Sequence, residues 1–193
     1  MDEHTKARVI ITLACRRTCD GCCNNMPVFE EHRKIASIDA VAGYAEIMLT
    51  GGEPMLYPRQ TLGLVHHLKA HTGARVYLYS ALYTRADRIT WSELLASLDA
   101  FQFTLHAEAQ DGDVAALEQL CTLVAATPHP GRSFRLAIDR RLYERYDFSN
   151  LDLSGWDVVR KMVWIIDAPL PAGEDLFLLT ARPDQWVPPE AGR

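Results

Sequence analysis

Apolar residues recur along the chain in two alternating patterns, which predict strands and helices in turn. Short runs rich in β-branched or alternating apolar residues predict six strands, at 8–14, 46–50, 75–80, 100–106, 133–139 and 161–167. Strands that alternate with helices are typical of a parallel sheet in an α/β fold. Six such units are fewer than the eight of a closed barrel, so the pattern predicts a partial (βα)6 barrel.

Helix-start signals define the segments between these strands. Ser37 is expected to cap a short helix that ends at Tyr44, and residues 58–71 form a longer one. The run Thr90-Trp91-Ser92-Glu93 predicts a capping box at the start of the next helix, with Ile89 packing on Leu94 as its hydrophobic staple. The last helix carries one apolar stripe, made of Val114, Leu117, Leu120, Cys121 and Val124. Cys121 is therefore expected to be a small core residue.

Length and composition indicate one globular domain. The chain has 193 residues, of which 48% are hydrophobic and 23% charged, enough for a substantial core. We place the folded core at about residues 8–167 and a proline-rich tail at 168–193, in which 176–180 is a candidate for an added edge strand.

Charge and hydropathy exclude several classes of function. A net charge of -5 gives no general attraction to nucleic acid, and no apolar run approaches the length of a membrane span. The charged amino terminus is not typical of a secretory signal. Four of the five cysteines lie within nine residues, which favours metal or redox use over a disulfide framework. We therefore expect a cytoplasmic protein.

Three cysteines follow the first predicted strand at close spacing. Cys15, Cys19 and Cys22 are separated by gaps of three and two residues. Three thiolates in one short loop can hold three corners of a 4Fe–4S cluster, because soft sulfur ligands suit iron–sulfur chemistry. The fourth iron is then open to an exogenous ligand, as metal positions in catalytic sites are.

A second motif follows the second predicted strand. The run Gly51-Gly52-Glu53-Pro54 combines two glycines, which allow close backbone approach to a ligand, with a carboxylate that can accept a hydrogen bond from an ammonium group. The cysteine triplet and this run, in this order, resemble the two signatures of the radical S-adenosylmethionine (SAM) enzymes. The resemblance covers about residues 8–167.

The resemblance implies two cofactors and an electron donor. In that family a 4Fe–4S cluster binds the amino and carboxylate groups of SAM, and the strand carrying Gly51, Gly52, Glu53 and Pro54 would hold the amino group. An external one-electron reductant, flavodoxin-like or ferredoxin-like, reduces the cluster. The cluster then reduces SAM, which yields methionine and a 5′-deoxyadenosyl radical that abstracts a substrate hydrogen.

Polar residues on two neighbouring strands predict a ligand-binding concavity. Gln102, Thr104 and His106 share one face of the fourth predicted strand, and Arg135 and Asp139 share one face of the fifth. Burial of such residues without partners is costly, so we expect them to line a wet cavity. The candidates for contact with the ribose and carboxylate of SAM, all at strand ends, are Ser80, His106, Asp139 and Arg140.

Three functions are compatible with these motifs. Small size favours an activase that places a glycyl radical on a partner protein, and Cys22-Cys23-Asn24 resembles a run found in such activases. A radical SAM enzyme that modifies a small molecule or peptide is the second. Truncation after Asp167 is expected to distinguish the two if the shortened protein stays folded, because a small substrate would need the tail as a lid over the mouth of the barrel. The third is a zinc-stabilised binding module that uses the triplet and one further ligand, which would leave the Gly51–Pro54 run unexplained.

Overall fold

A computed structural model of the chain describes residues 5–20, 22, 32–128, 130–163 and 170–187. Eight strands in these ranges form one sheet in which every neighbouring pair is parallel. The strands are β1 (Lys6–Thr12), β2 (Arg33–Ile35), β3 (Glu46–Gly51), β4 (Arg75–Ser80), β5 (Ala100–Leu105), β6 (Ser133–Asp139), β7 (Val158–Met162) and β8 (Glu174–Leu179). Their order across the sheet is β2-β8-β1-β3-β4-β5-β6-β7.

Three α-helices in the described ranges connect strands at the centre of the sheet. They are α1 (Pro58–His71), α2 (Arg88–Ser97) and α3 (Asp111–Ala125), and they join β3 to β4, β4 to β5, and β5 to β6. Short 3₁₀ helices occupy Ile38–Val41, Pro54–Leu56, Arg85–Asp87, Arg140–Glu144 and Pro183–Gln185. None of the described helices has the length and apolar character that crossing a bilayer requires.

The two faces of the sheet differ in character because successive side chains point to opposite sides. One face packs into the hydrophobic core, where Val76, Leu78, Phe101, Phe103, Leu136 and Ile138 are buried with the apolar sides of the helices. The opposite face, which we call the polar face, includes Lys6, Arg8, Glu46, Tyr77, Tyr79, Gln102, Thr104, Arg135, Ala137, Arg160 and Glu174.

The α/β class and the parallel strands are confirmed, and the sheet is compatible with a barrel-like fold. The predicted number of six strands was too low, because β2 and β8 also belong to the sheet and bring it to eight strands among the described residues. The tail strand is not at an edge. It pairs with β1 on one side and with β2 on the other, so the carboxy-terminal segment lies within the sheet.

Charged side chains hold β8 in this internal position. Arg8 on β1 donates from Nε to the Glu174 carboxylate at 2.7 Å, and this ion pair is largely buried. On the other face, the Tyr44 hydroxyl donates to Asp175 at 2.5 Å. A tail rich in proline gave no local signal for these partners, which lie more than a hundred residues away in the chain.

Local predictions succeeded where the apolar period was long. The bounds predicted for α1, β4 and β6 are confirmed, and Cys121 is buried. Ser37 accepts a hydrogen bond from the Asp39 amide, but it caps only a 3₁₀ turn. The predicted strand 161–167 begins earlier, as β7, and residues 164–167 lie outside the described ranges.

The capping box predicted at Thr90 was wrong. Helix α2 begins at Arg88, so Thr90 lies inside it, and the Ile89 side chain is 77% exposed instead of packing on Leu94. A 3₁₀ helix at Arg85–Asp87 runs directly into α2, so the chain is already helical before it reaches Thr90.

Candidate functional site

The predicted site residues gather at one edge of the sheet because the carboxyl ends of parallel strands meet there. The cysteine loop, residues 13–22, follows β1, and the Gly51–Pro54 run begins at the last residue of β3. Ser80 ends β4, His106 follows β5, and Asp139 ends β6. The structure therefore brings residues from five strands to a common edge.

The cysteine loop and the Gly51–Pro54 run form one hydrogen-bonded unit. The Gly52 amide donates to the Thr12 carbonyl at 2.6 Å, and the Glu53 amide donates to the Ala14 carbonyl at 2.8 Å. Gly51 has a φ of 126°, and a Cβ atom there would lie 2.3 Å from the Thr12 carbonyl oxygen. A Cβ at Gly52 would lie 2.2 Å from the Ala14 carbonyl oxygen. The close approach that requires these glycines is thus to the chain's own backbone at the end of β1 and the start of the cysteine loop.

Glu53 joins this unit to the end of β4. Its side chain is buried, and its Oε1 accepts hydrogen bonds from the Met55 amide at 2.8 Å and the Ser80 hydroxyl at 2.7 Å. Its Oε2 accepts one from the Ala81 amide at 2.8 Å. Burial raises the pKa of Glu53, against the opposing effect of these hydrogen bonds. A carboxylate has about four acceptor positions, so one position on Oε2 remains for a ligand.

Ser80 lies on the opposite side of the sheet from His106 and Asp139. It is in register with Phe103, on the core side of the sheet, and is buried there. Its hydroxyl donates to Glu53 and accepts a hydrogen bond from the Leu82 amide at 3.2 Å. We therefore assign Ser80 to the support of Glu53. The structure separates it from His106 and Asp139, with which the sequence grouped it.

His106 and Asp139 continue the polar face at the ends of β5 and β6. Burial lowers the pKa of His106, and the positive charge of Arg17 lowers it further. Asp139 is only 3% exposed, and Arg141 donates to it from Nε at 2.9 Å and from Nη2 at 2.8 Å. This hydrogen bonding holds the pKa of Asp139 below its usual value.

Arg141 is the arginine that contacts Asp139 at the end of β6. Arg140 is exposed, whereas Arg141 forms a two-pronged contact with the Asp139 carboxylate. Arg140 and Arg141 both follow Asp139 directly in the sequence, but the turn of the backbone decides which of the two side chains contacts the Asp139 carboxylate. Asp139 begins a 3₁₀ helix and accepts a hydrogen bond from the Arg141 amide, which turns that residue toward it.

Arg17 is a site residue that the sequence did not single out. It lies within the cysteine loop, and its side chain is 14% exposed. Its Nη1 donates to the Ala81 carbonyl at 2.7 Å, and its Nη2 donates to Asp113 in the first turn of α3 at 2.6 Å. Arg17 therefore ties the loop to the end of β4 and to α3, a pairing across 96 positions that no local pattern reveals.

The three thiols of the triplet are free and differ in exposure. Cys15 is exposed, while Cys19 and Cys22 are half-buried on a turn closed by the Cys22 amide and the Cys19 carbonyl at 3.1 Å. Burial and the nearby Glu108 carboxylate raise the pKa of Cys19 to about 12. Among the described residues, no three His, Cys, Asp or Glu side chains are arranged to hold a metal ion, so the thiols are not brought together as ligands.

The donor chemistry of the loop nevertheless suits an iron–sulfur cluster. Three free cysteines stand in one eight-residue segment, and thiolates are the ligands that such clusters use. The chain is anchored on both sides of Cys15, by the hydrogen bonds that Gly52 and Glu53 donate to Thr12 and Ala14 and by the side chain of Arg17. Cys15, Cys19 and Cys22 are the residues that would hold the group.

We expect the Arg17 contact to stabilise the protein measurably. Arg17→Met keeps the side-chain length but removes both hydrogen bonds, and should lower the free energy of unfolding by about 1.5–3 kcal/mol in urea denaturation. Arg182→Met is the matched control, because Arg182 and Asp184 form an exposed pair at 3.7 Å and such pairs contribute about 0–1 kcal/mol. Equal effects of the two substitutions would contradict a role for Arg17 in holding the loop.

Comparison with known proteins identifies no relative of this chain: no family model, no curated protein and no solved structure matches it. What the fold and the site define is an α/β protein with a three-cysteine loop and a glycine-rich strand end, hydrogen-bonded together at the carboxyl edge of a parallel sheet.

Proposed function

We propose that this chain is a radical SAM enzyme, which cleaves SAM reductively and abstracts a hydrogen atom from a substrate. The observation that carries this proposal is the direct hydrogen bonding of the Gly51–Pro54 run to the end of β1 and to Ala14, the residue before Cys15. Two motifs that are separate in the sequence are one unit in space, at the edge where ligands bind in open α/β sheets.

A 4Fe–4S cluster on Cys15, Cys19 and Cys22 would supply the electron that breaks the carbon–sulfur bond of SAM. The chain's own part is to hold and orient the ligand, as proteins do for cofactors that perform difficult chemistry. The free acceptor position of Glu53 Oε2 suits the SAM ammonium group. Arg141, which is 55% exposed although it holds Asp139, suits the SAM carboxylate.

His106 and Asp139 are proposed to contact the ribose. Both lie on the polar face at the edge of the sheet, and a carboxylate can accept hydrogen bonds from ribose hydroxyls. The lowered pKa of His106 favours a neutral ring near neutral pH, which can donate one hydrogen bond and accept another. An external one-electron reductant, flavodoxin-like or ferredoxin-like, would reach the cluster where Cys15 is exposed.

The direct test is anaerobic reconstitution with iron and sulfide. We expect a brown protein with about four irons per chain, a number that follows from the three-cysteine ligand set. Addition of SAM and a strong reductant should release 5′-deoxyadenosine. A colourless protein that binds zinc with no iron would contradict the proposal and favour the zinc-stabilised module.

Glu53→Gln tests the proposed ammonium contact. Loss of the charged acceptor should weaken SAM binding by about 1.5–3 kcal/mol in calorimetry of the reconstituted protein. The amide nitrogen of glutamine must also face a protein donor, either the Ala81 amide or the Met55 amide, so the variant should be less stable as well.

Ser80→Ala separates these two effects. It removes one hydrogen bond to Glu53 but leaves both carboxylate oxygens in place. We expect it to lower thermal stability with little change in SAM affinity. If Glu53→Gln also leaves SAM affinity unchanged, the role of Glu53 is structural only.

A further inference from the structure

The carboxyl edge of the sheet divides into two halves that differ in charge. Acidic and basic residues are mixed in the half at β5 and β6, where Glu108, Asp111 and Arg145 follow the strands. In the half at β1, β3 and β4, four exposed arginines lie in the segments that follow the strands. We call this half the basic edge and define it by Arg16, Arg59, Arg85 and Arg88. It is a local feature, because the whole chain has a net charge of -5.

The four arginines of the basic edge are not ion-paired with any carboxylate that the structure describes. Asp87, which directly precedes α2, accepts a hydrogen bond from the Thr84 hydroxyl instead. Asp20 belongs to the other half of the edge, because its amide donates to the Glu108 carboxylate at 3.4 Å. The positive charge of the basic edge is therefore open to solvent and to a partner.

Contacts between the loops bring Arg16 and the arginines after β4 to one surface. The neighbour of Arg16, Arg17, donates to the Ala81 carbonyl at 2.7 Å, so the cysteine loop touches the segment that leads to Arg85. Burial raises the pKa of Tyr83, and the positive charges of Arg88 and Arg85 oppose that rise. Both guanidinium groups therefore act on the same ring. The strands that carry these segments are neighbours in the sheet, with spacings of about 4.8 Å.

The first turns of α1 and α2 add to the positive charge. The two helices pack against each other, with axes about 8–10 Å apart, and both begin at the carboxyl edge. Arg59 and Arg88 lie in these first turns, where neither helix has an acidic residue. In α3, by contrast, the first turn carries Asp111 and Asp113. The amino end of a helix is partially positive, so an acidic partner would relieve an unfavourable arrangement of cations at α1 and α2.

Two exposed apolar side chains and one thiol lie on the same edge. Leu13, directly after β1, is 56% exposed, and Ile89, in the first turn of α2, is 77% exposed. Cys15 is exposed as well. Apolar residues surrounded by charged ones are typical of contact surfaces between proteins. Of the aromatic residues described in these segments none is exposed, whereas single-stranded nucleic acid is bound by stacking on such rings. A protein is therefore the partner that this surface favours.

We propose that the basic edge is the docking surface of an acidic electron-carrier protein. The identity of the partner rests on the proposed radical SAM function, in which a carrier is oxidised by one electron while the cluster is reduced by one. Complementary charge accelerates the encounter of two proteins and fixes their orientation. Docking on Arg16, Arg85 and Arg88 brings the redox group of the carrier to the side of the cysteine loop where Cys15 is exposed.

Binding is measured with full-length protein without iron, so the result does not depend on the cluster. The probe is a flavodoxin of strongly acidic sequence with a fluorescent label, and its anisotropy is followed. We expect binding to weaken about tenfold or more when salt rises from about 0.05 M to about 0.3 M, because salt screens exposed charges. The double variant Arg85→Gln, Arg88→Gln should bind about fivefold to tenfold more weakly, since two exposed charge pairs are lost.

The double variant Arg135→Gln, Arg160→Gln is the matched control. It removes the same charge from β6 and β7, at exposed positions outside the basic edge, and should leave the affinity almost unchanged. Equal weakening by both double variants would reduce the effect to net charge and overturn the docking surface. Salt-independent binding to the wild-type protein would do the same, even if a variant fails to fold. So would a short single-stranded RNA that displaces the flavodoxin and depends more strongly on Arg85 and Arg88.

Electron transfer to the reconstituted protein separates failure of docking from failure of the proposed function. At carrier concentrations below saturation, flavodoxin hydroquinone, which is oxidised to the semiquinone, should reduce the cluster about fivefold to tenfold more slowly in the Arg85→Gln, Arg88→Gln variant. A neutral deazaflavin photoreductant needs no docking surface and should reduce both proteins at the same rate. Equal rates with flavodoxin would overturn the docking surface and leave the proposed function in place. Absence of a cluster in the wild-type protein would instead contradict the function itself.

Discussion

Single replacement of Cys15, Cys19 or Cys22 with alanine is expected to abolish assembly of the 4Fe–4S cluster. Each thiolate holds one iron, and the loop has no other described cysteine that could take its place. Iron content should fall from about four per chain to near zero, with loss of the visible absorption of the cluster. Anaerobic reconstitution followed by iron analysis measures both.

Cys121→Ala is the matched control for these variants. Cys121 is buried in α3 and accepts a hydrogen bond from the Trp156 indole at 3.3 Å. It belongs to the hydrophobic core and not to the cysteine loop. The variant should be less stable yet retain its iron. Cys23 lies outside the described residues, and Cys23→Ala is also expected to keep the cluster. Full iron retention in Cys19→Ala would refute the assignment of the triplet.

Removal of residues 168–193 is expected to unfold the protein. The deletion takes away β8, which lies between β1 and β2, and with it the buried side chains of Leu176, Phe177, Leu179 and Trp186. Burial of each contributes about 1.5–3 kcal/mol, and their sum is comparable to the total stability of a domain, about 5–15 kcal/mol. Circular dichroism should show no cooperative thermal transition.

Two further variants distinguish the effect of losing β8 from the effect of losing only the last residues of the chain. A protein that ends at Val187 keeps β8 and Trp186, so it should remain folded. Phe177→Ala should lower the free energy of unfolding by about 3–5 kcal/mol, the range for a buried phenylalanine. Cooperative unfolding of the chain truncated after Asp167 would show that β8 is dispensable.

This expected result changes what truncation after Asp167 can test. From the sequence, truncation after Asp167 was to distinguish a partner protein from a small molecule as substrate, on the assumption that the tail only covers the mouth of the barrel. Because β8 lies within the sheet, such a truncation tests folding instead.

The amino-acid sequence by itself determined the elements with a clear local period and the placement of the motifs. Helix α1 and strands β4 and β6 have the predicted bounds, because their apolar periodicity runs through the whole element. The cysteine loop and the Gly51–Pro54 run were expected at strand ends, and parallel pairing then places them at one edge. This much follows from neighbours in the chain and a general rule of parallel sheets.

Only the tertiary structure decided which distant residues meet. The position of β8 depends on Arg8 and Glu174, which are 166 positions apart, and the hold on the cysteine loop depends on Arg17 and Asp113. Glu53 accepts hydrogen bonds from Met55, Ser80 and Ala81. Two of these donors lie on β4 or directly after it, so the Gly51–Pro54 run alone could not predict that Glu53 is buried. Periodicity reports which side of an element is buried, but partners across the sheet are chosen by register and by the geometry of side chains brought together in folding.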